Sequence, residues 1–249
     1  MQVRALSFDL FDTLVDLPMT ALPRVEIEGR SIPTTAGALH AAFAARHPIG
    51  FERFATALRE VDHEWREAFW EQGRELATLD RFAKLLERLE IHDPALPTIL
   101  TDVHMGLLTG LVRTPAHHAP LLARLGERFR LGLCSNFSHS PTALAILDAA
   151  DLRARLAAIV ISHDHGMRKP RPEIFQSVSD ALGTRAPEVV HVGDNLEADI
   201  AGAAALGMRT VWITRCVGDP DAALARYAGP RPTWTIGDLA ELEAILTRA

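Results

Sequence analysis

The 249-residue chain is 48% hydrophobic and 23% charged, the proportions of a globular protein large enough for one core and an insertion. A formal net charge of −6 excludes a general nucleic-acid binder or an anionic-membrane surface protein, since both need a basic face. Two cysteines, Cys134 and Cys216, cannot build a disulfide framework, and no apolar run approaches the roughly 20 residues of a membrane span. The N-terminus also lacks the basic start and long apolar stretch of a secretion signal, so a cytoplasmic protein is expected. Of 26 basic residues only Lys84 and Lys169 are lysines. A lysine that persists against such an arginine bias is a candidate for a position that needs a compact ammonium head, a weak signal on its own.

The first element is an apolar strand, Val3 to Phe8, which runs into the polar turn Asp9-Leu10-Phe11-Asp12-Thr13. Three prolines follow, Pro18, Pro23 and Pro33, and alternation about Glu28-Gly29 predicts a small hairpin near residues 24–32. From Thr35 to Gly110 apolar residues recur at spacings of three and four (Leu39, Phe43, Phe54, Leu58, Val61, Trp65, Phe69, Phe82, Leu85, Leu86 and Leu89), which is helical periodicity. Trp65, Phe69 and Trp70 are read as core of that segment rather than as a ligand box. Strands then return: Arg130 to Cys134, Ala158 to Ser162, Val189 to Val192 and Thr210 to Thr214, with Thr233 to Ile236 as a sixth. Their alternation with helix-length segments predicts an α/β fold, a doubly wound, mainly parallel Rossmann-like sheet covered on both faces. That core comprises 1–16 and 111–249, and 17–110 forms a helical insertion.

Sheets of this kind bind ligands beyond the carboxyl ends of their strands, and the polar signals fall there: Asp9, Ser135-Asn136 and Gly193-Asp194. Lys169 follows the remaining strand at some distance. Asp9, Asp194 and Asp199 in one cleft would repel one another unless a cation offset them. Mg²⁺ suits such a site, because it takes oxygen ligands and bridges carboxylates to phosphate. Ser135 and Asn136 offer neutral donors for a phosphate oxygen, and Lys169 offers a positive charge. The set describes phosphoryl transfer through an aspartyl-phosphate on Asp9.

The segments Phe8-Asp9-Leu10-Phe11-Asp12-Thr13-Leu14, Cys134-Ser135-Asn136, Arg168-Lys169-Pro170-Arg171-Pro172-Glu173-Ile174-Phe175 and Val192-Gly193-Asp194-Asn195 with Asp199 resemble the four motifs of the haloacid dehalogenase superfamily, in order and spacing. The insertion resembles that family's helical C1 cap, which would close over the site and choose the substrate. The resemblance implies Asp9 as nucleophile and Mg²⁺ ligand. It also implies the Phe11 carbonyl and Asp194 as further ligands, with Asp199 supporting the metal shell. Thr13 and Ser135 would bind the transferring group, Asn136 would assist, and Lys169 would hold the charges together. The substrate implied is a small-molecule phosphate monoester, with neither nucleic acid nor membrane as partner; oligomeric state is not readable.

One position departs from the pattern. The family's phosphatases carry an aspartate two residues after the nucleophile as general acid and base, whereas this chain has Phe11. Asp12, one residue on, either replaces it or caps the next segment. An aromatic there also fits the family's metal-independent 2-haloacid dehalogenases, whose halide leaves without protonation. Without a metal, however, Asp9, Asp194 and Asp199 would be poorly balanced, so a Mg²⁺-dependent phosphatase is favoured. A binding protein that kept the fold and lost turnover is the third alternative. His163-Asp164-His165 is read as no metal site, because alternation after a strand separates its side chains. Phe137 and His139 either face the substrate or only pack, and Asp16 is either a hinge residue or a substrate contact. Cys134 is read as buried packing, Gly202 as helix packing and Gly207 as a helix stop.

Overall fold

A computed structural model describes residues 2–27 and 29–247. The chain divides into two compact units, Met1–Asp16 with Arg113–Ala249, and Leu17–Val112. The first unit opens with β1 (Ala5–Phe8), every residue of it buried.

The second unit begins with a two-stranded antiparallel ribbon, β2 (Arg24–Ile27) and β3 (Arg30–Pro33), in which Val25 faces Ile32. Glu28, one of the two residues placed at its turn, lies outside the described residues. Four helices follow: α1 (Ala36–Ala44), α2 (Phe51–Trp65), α3 (Thr78–Arg88) and α4 (Leu96–Leu111). Their three- and four-residue apolar spacing turns one stripe of each helix inward. Leu39, Phe43, Phe54, Val61, Phe82 and Leu100 are all buried in one cluster. Trp65 belongs to that cluster, but Phe69 is only half-buried and Trp70 is exposed. The α-helix gives way after Trp65 to a π-helical turn over Arg66–Trp70. The wider turn shifts the facing of the residues that follow, and Trp70, read from the sequence as core, is instead exposed.

The first unit resumes with α5 (His118–Gly126), β4 (Arg130–Ser135), α6 (Ser140–Ala149), β5 (Ala158–Ile161), α7 (Ser162–His165) and α8 (Pro172–Ala181). It continues through β6 (Val189–Gly193), α9 (Gly202–Ala205), β7 (Arg209–Ile213), α10 (Pro220–Arg226), β8 (Trp234–Ile236) and α11 (Leu242–Leu246). Six strands make one sheet in the order β5-β4-β1-β6-β7-β8, and every pairing is parallel. Leu6, Phe8, Leu133, Val190, Val192 and Val211 are all fully buried. Such uninterrupted apolar runs belong to strands covered on both faces. Chain order reverses at the border of β1 and β6, the place where this architecture opens a crevice.

Two glycines set how closely the helices approach the sheet. A Cβ on Gly132 would lie 3.1 Å from Leu182 Cδ1 and 3.2 Å from Val178 Cγ2, so β4 and α8 pack closely. A Cβ on Gly202 would meet Phe175 at 2.5 Å and the Pro170 main chain at 2.8 Å. Gly207 holds φ +75° just after α9, a conformation that suits glycine at a helix end. His163, Asp164 and His165 form the single helical turn α7 rather than an extended segment. His163 bonds Ser140 at 3.1 Å and His165 bonds Ser177 at 2.9 Å.

Phe82 is fully buried in the helical unit, whereas Lys84 on the same helix is exposed and pairs with Glu87. Phe82→Ala is expected to lower stability by about 3–5 kcal/mol, and Lys84→Ala by less than about 0.5 kcal/mol. Urea denaturation of both variants checks this; equal losses would contradict the assignment of the core.

Candidate active site

Asp9 immediately follows β1, and its N–H donates to the Val192 carbonyl at 2.9 Å, continuing the β1–β6 register. Asp194 immediately follows β6, and Trp212 Nε1 on β7 donates to its carbonyl oxygen at 2.7 Å. Asn195 caps the π-helical segment Leu196–Ala201, accepting from the N–H groups of Glu197 and Ala198. That segment carries Asp199 back beneath the strand end. Gly193 makes this possible, because a Cβ there would fall on the Asp199 carboxylate. Single carboxylate oxygens of Asp9, Asp194 and Asp199 thus come within 4.8 Å of one another.

Lys169 stands among them. Its Nζ donates to Asp9 Oδ1 and to Asp199 Oδ1, both at 2.6 Å, and its side chain is 1% exposed. Asn136, just after β4, holds the lysine in place: its Oδ1 accepts from the Lys169 N–H at 2.7 Å and its Nδ2 donates to the Lys169 carbonyl at 3.0 Å. Asn136 therefore spends its amide on the lysine main chain. One residue that sequence reasoning passed over completes the arrangement. His191, buried on β6, places Nε2 at 3.0 Å from Asp199 Oδ1 and Nδ1 at 3.1 Å from Ser7 Oγ on β1. The Asn195 N–H donates to the other oxygen of Asp199 at 3.0 Å.

The charges are unevenly balanced. Burial raises the Asp9 carboxyl to about 6, with Lys169 opposing and Asp199 adding to the rise. Burial, then repulsion from Asp9 and Asp199, raises Asp194 to about 8. Burial also works against Asp199, but Lys169 and His191 outweigh it and hold this carboxyl well below the ordinary range. Lys169 loses to burial and gains more from Asp199 and Asp9, so it stays firmly protonated. One ammonium thus balances two carboxylates, and the third, Asp194, remains short of positive charge.

Two hydroxyls are in a similar position. Thr13 and Ser135 are fully buried, and neither Thr13 Oγ1 nor Ser135 Oγ has a hydrogen-bond partner among the described residues. Buried hydroxyls are rarely left so, and each follows a central strand of the sheet or ends it. Asp12 occupies a left-handed turn at φ +56°, and its N–H donates to the Val15 carbonyl at 2.6 Å. No helix begins there, so the capping alternative does not apply. The Asp12 carboxylate groups with Asp16 and the Cys216 thiol, and its charge also reaches Asp194. Phe11 stacks on Phe137, with ring centroids 4.9 Å apart. Asp16 is paired with Arg215 at 2.6 Å. Cys134 is buried, and burial pushes its thiol up to about 12.

The family model described as haloacid dehalogenase-like hydrolase matches residues 3–207. The chain is 32% identical over 127 residues to N-acylneuraminate-9-phosphatase of Rattus norvegicus, a match covering 51% of this chain and 49% of that one. It thus spans about half the length of that relative. It is 28% identical over 212 residues to glyceraldehyde 3-phosphate phosphatase of Pyrococcus abyssi, with 84% and 81% covered. Among solved structures it resembles a 2-haloacid dehalogenase of Pseudomonas syringae, with TM-score 0.72, 22% identity and 99% of both chains covered. It also resembles the hydrolase YfnB of Bacillus subtilis bound to magnesium, with TM-score 0.62, 23% identity and 99% of both covered. No helix among the described residues is long and apolar enough to cross a membrane.

His191→Phe would remove a donor from Asp199 and a partner from Ser7, and should cost about 1–3 kcal/mol. His191→Gln keeps a donor in reach and should cost less. Chemical denaturation of the pair tests this; a larger loss in the glutamine variant would contradict the hydrogen-bonding role.

Proposed function

We propose, from the premise that this chain belongs to the haloacid dehalogenase-like hydrolases, that it is a Mg²⁺-dependent phosphohydrolase of small-molecule phosphate monoesters with Asp9 as nucleophile. The observation that carries this reading is the pair of unpartnered buried hydroxyls, Thr13 and Ser135, in the unit that gathers three carboxylates around one lysine. A phosphoryl group has the oxygens those hydroxyls need, and a divalent cation has the charge that Asp194 lacks. The phosphatases among the relatives support the same class of substrate.

The donor set fits Mg²⁺, a hard cation that takes oxygen ligands. Asp9, Asp194 and the Phe11 carbonyl would hold it, with Asp199 supporting the shell. When bound it supplies charge for the phosphate oxygens and relieves repulsion among the carboxylates. The rest falls to the chain itself. Lys169 keeps Asp9 ionised and oriented, and the hydroxyls of Thr13 and Ser135 donate to phosphate oxygens. An Asp9 oxygen attacks phosphorus, the bond to the leaving oxygen breaks, and an acyl phosphate forms. Water then attacks the same phosphorus, releasing inorganic phosphate and restoring the carboxylate. We assign the proton transfers to Asp12, whose charge reaches Asp194 from the left-handed turn after Phe11.

Release of phosphate from an aryl phosphate should need Mg²⁺, stop with EDTA, and fall by at least about 10³-fold in Asp9→Asn. Release of halide from 2-chloropropionate, unaffected by EDTA, would instead establish the dehalogenase alternative that Phe11 suggests. Silence in both assays would favour a binding protein. Asp12→Asn should slow hydrolysis of alkyl phosphates on the order of 10²-fold and of aryl phosphates much less, because a better leaving group needs less protonation. An unchanged rate on alkyl phosphates would remove Asp12 from the mechanism.

The raised Asp9 and Asp194 carboxyls fix the sign of a pH effect. Their protonated forms are favoured by folding, so without metal their ionisation lowers stability as pH rises from about 4 to about 8. Mg²⁺ binds only the ionised carboxylates. The rise in melting temperature produced by Mg²⁺ should therefore grow from about pH 5.5 to about pH 8.5, as thermal-shift measurements would record. A constant rise, or one largest in acid, would contradict the proposed ligands.

A further inference from the structure

A second cluster of ligating groups lies on the same unit. One ligating atom from each of His117, His118 and Asp238 comes within 4.8 Å of the others. His118 opens α5 and is fully buried. Its Nδ1 lies 2.8 Å from the Leu14 carbonyl oxygen. A carbonyl can only accept, so Nδ1 carries the proton and the lone pair is left on Nε2. No group among the described residues bonds that nitrogen. A neutral imidazole whose far N–H is anchored on a backbone carbonyl is how proteins present histidine to a metal.

The other two groups complete a small constellation. His117 Nε2 lies 2.7 Å from Asp238 Oδ1, and its side chain is 47% exposed, which leaves a route from solvent. Asp238 also accepts the Ala240 N–H at 2.8 Å, which fixes its carboxylate at the start of the Leu239–Glu241 turn. Arg215 Nε stands 3.6 Å from Asp238 Oδ2, but its guanidinium is also paired with Asp16.

We propose that His117, His118 and Asp238 bind one cation of the Zn²⁺ class, through Nε2 of each histidine and a carboxylate oxygen, with water as fourth ligand. Two imidazoles and one carboxylate are a donor set that Zn²⁺ and its transition-metal neighbours prefer, whereas Mg²⁺ prefers oxygen alone. Binding displaces the proton that His117 Nε2 shares with Asp238; exchanged through solvent, it is carried on Nδ1 of the same ring, which ligates as a neutral imidazole. Donor atoms about Zn²⁺ sit roughly 3.3 Å apart for bonds of about 2.0 Å, so His117 Nε2 and Asp238 Oδ1, 2.7 Å apart, must part slightly to admit the ion, a motion open to the exposed His117 side chain.

Co²⁺ is the probe, added to the full chain in excess Mg²⁺ so that the carboxylate cluster is already filled. The expected result is the intense visible absorption of a four-coordinate, nitrogen-ligated Co²⁺, saturating at one equivalent and displaced by Zn²⁺. His118→Asn keeps a donor for the Leu14 carbonyl and lacks the distal nitrogen. It should weaken Co²⁺ binding on the order of 100-fold, while Asp194→Asn should leave the signal unchanged. Absence of the absorption would overturn the proposal, as would a signal lost in Asp194→Asn and kept in His118→Asn. If His118→Asn does not fold, His117→Ala at the exposed position carries the same expectation and the same refutation.

Discussion

The double hydrogen bond from Lys169 to Asp9 and Asp199 is the interaction on which the site depends. Three carboxylates gathered at the ends of two parallel strands would drive one another apart or take up protons. The buried ammonium, 2.6 Å from two of them, makes the assembly possible. Much of the local structure serves that contact. Asn136 clamps the lysine main chain from β4, Gly202 lets α9 lie against Pro170, and His191 and Asn195 hold Asp199 from the far side. The sheet brings four separate stretches of chain to one point because β1 sits between β4 and β6.

What the lysine does not balance is as informative. Asp194 keeps a carboxyl raised to about 8, and two buried hydroxyls keep no partner. Both deficits are of the kind a bound divalent cation and an anionic substrate would make good. The departure at Phe11 is one of side chain alone, since the metal ligand proposed there is its main-chain carbonyl. The Phe11 ring stacks on Phe137, while the acid that follows it sits in a left-handed turn.

The sheet and the polar strand ends were legible because each strand is short, apolar and followed by residues that cannot be core. Asp9, Ser135, Asp194 and Lys169 stood out as polar groups where an apolar strand stops or a loop crosses back. His191 did not, for it lies inside a strand whose neighbours are all apolar, and nothing local distinguishes a histidine that bonds Asp199 from one that merely packs. Nor could spacing reveal that Asn136 binds main chain, since that pairing spans 33 residues. Local conformation misled in two other places. The turn at Asp12 adopts a positive φ, which aspartate tolerates better than most residues, and 162–165 coil into one helical turn where alternation suggested extended chain.

The central claim is that a covalent phosphoryl intermediate forms on Asp9. It is tested most directly by acid-quenching the protein during turnover of a phosphate monoester, reducing it with borohydride, and mapping the peptides by mass spectrometry. An acyl phosphate at Asp9 would be reduced to homoserine at position 9, in amounts that depend on substrate. Homoserine at another acidic residue, or none at any position while phosphate is being released, would contradict the account.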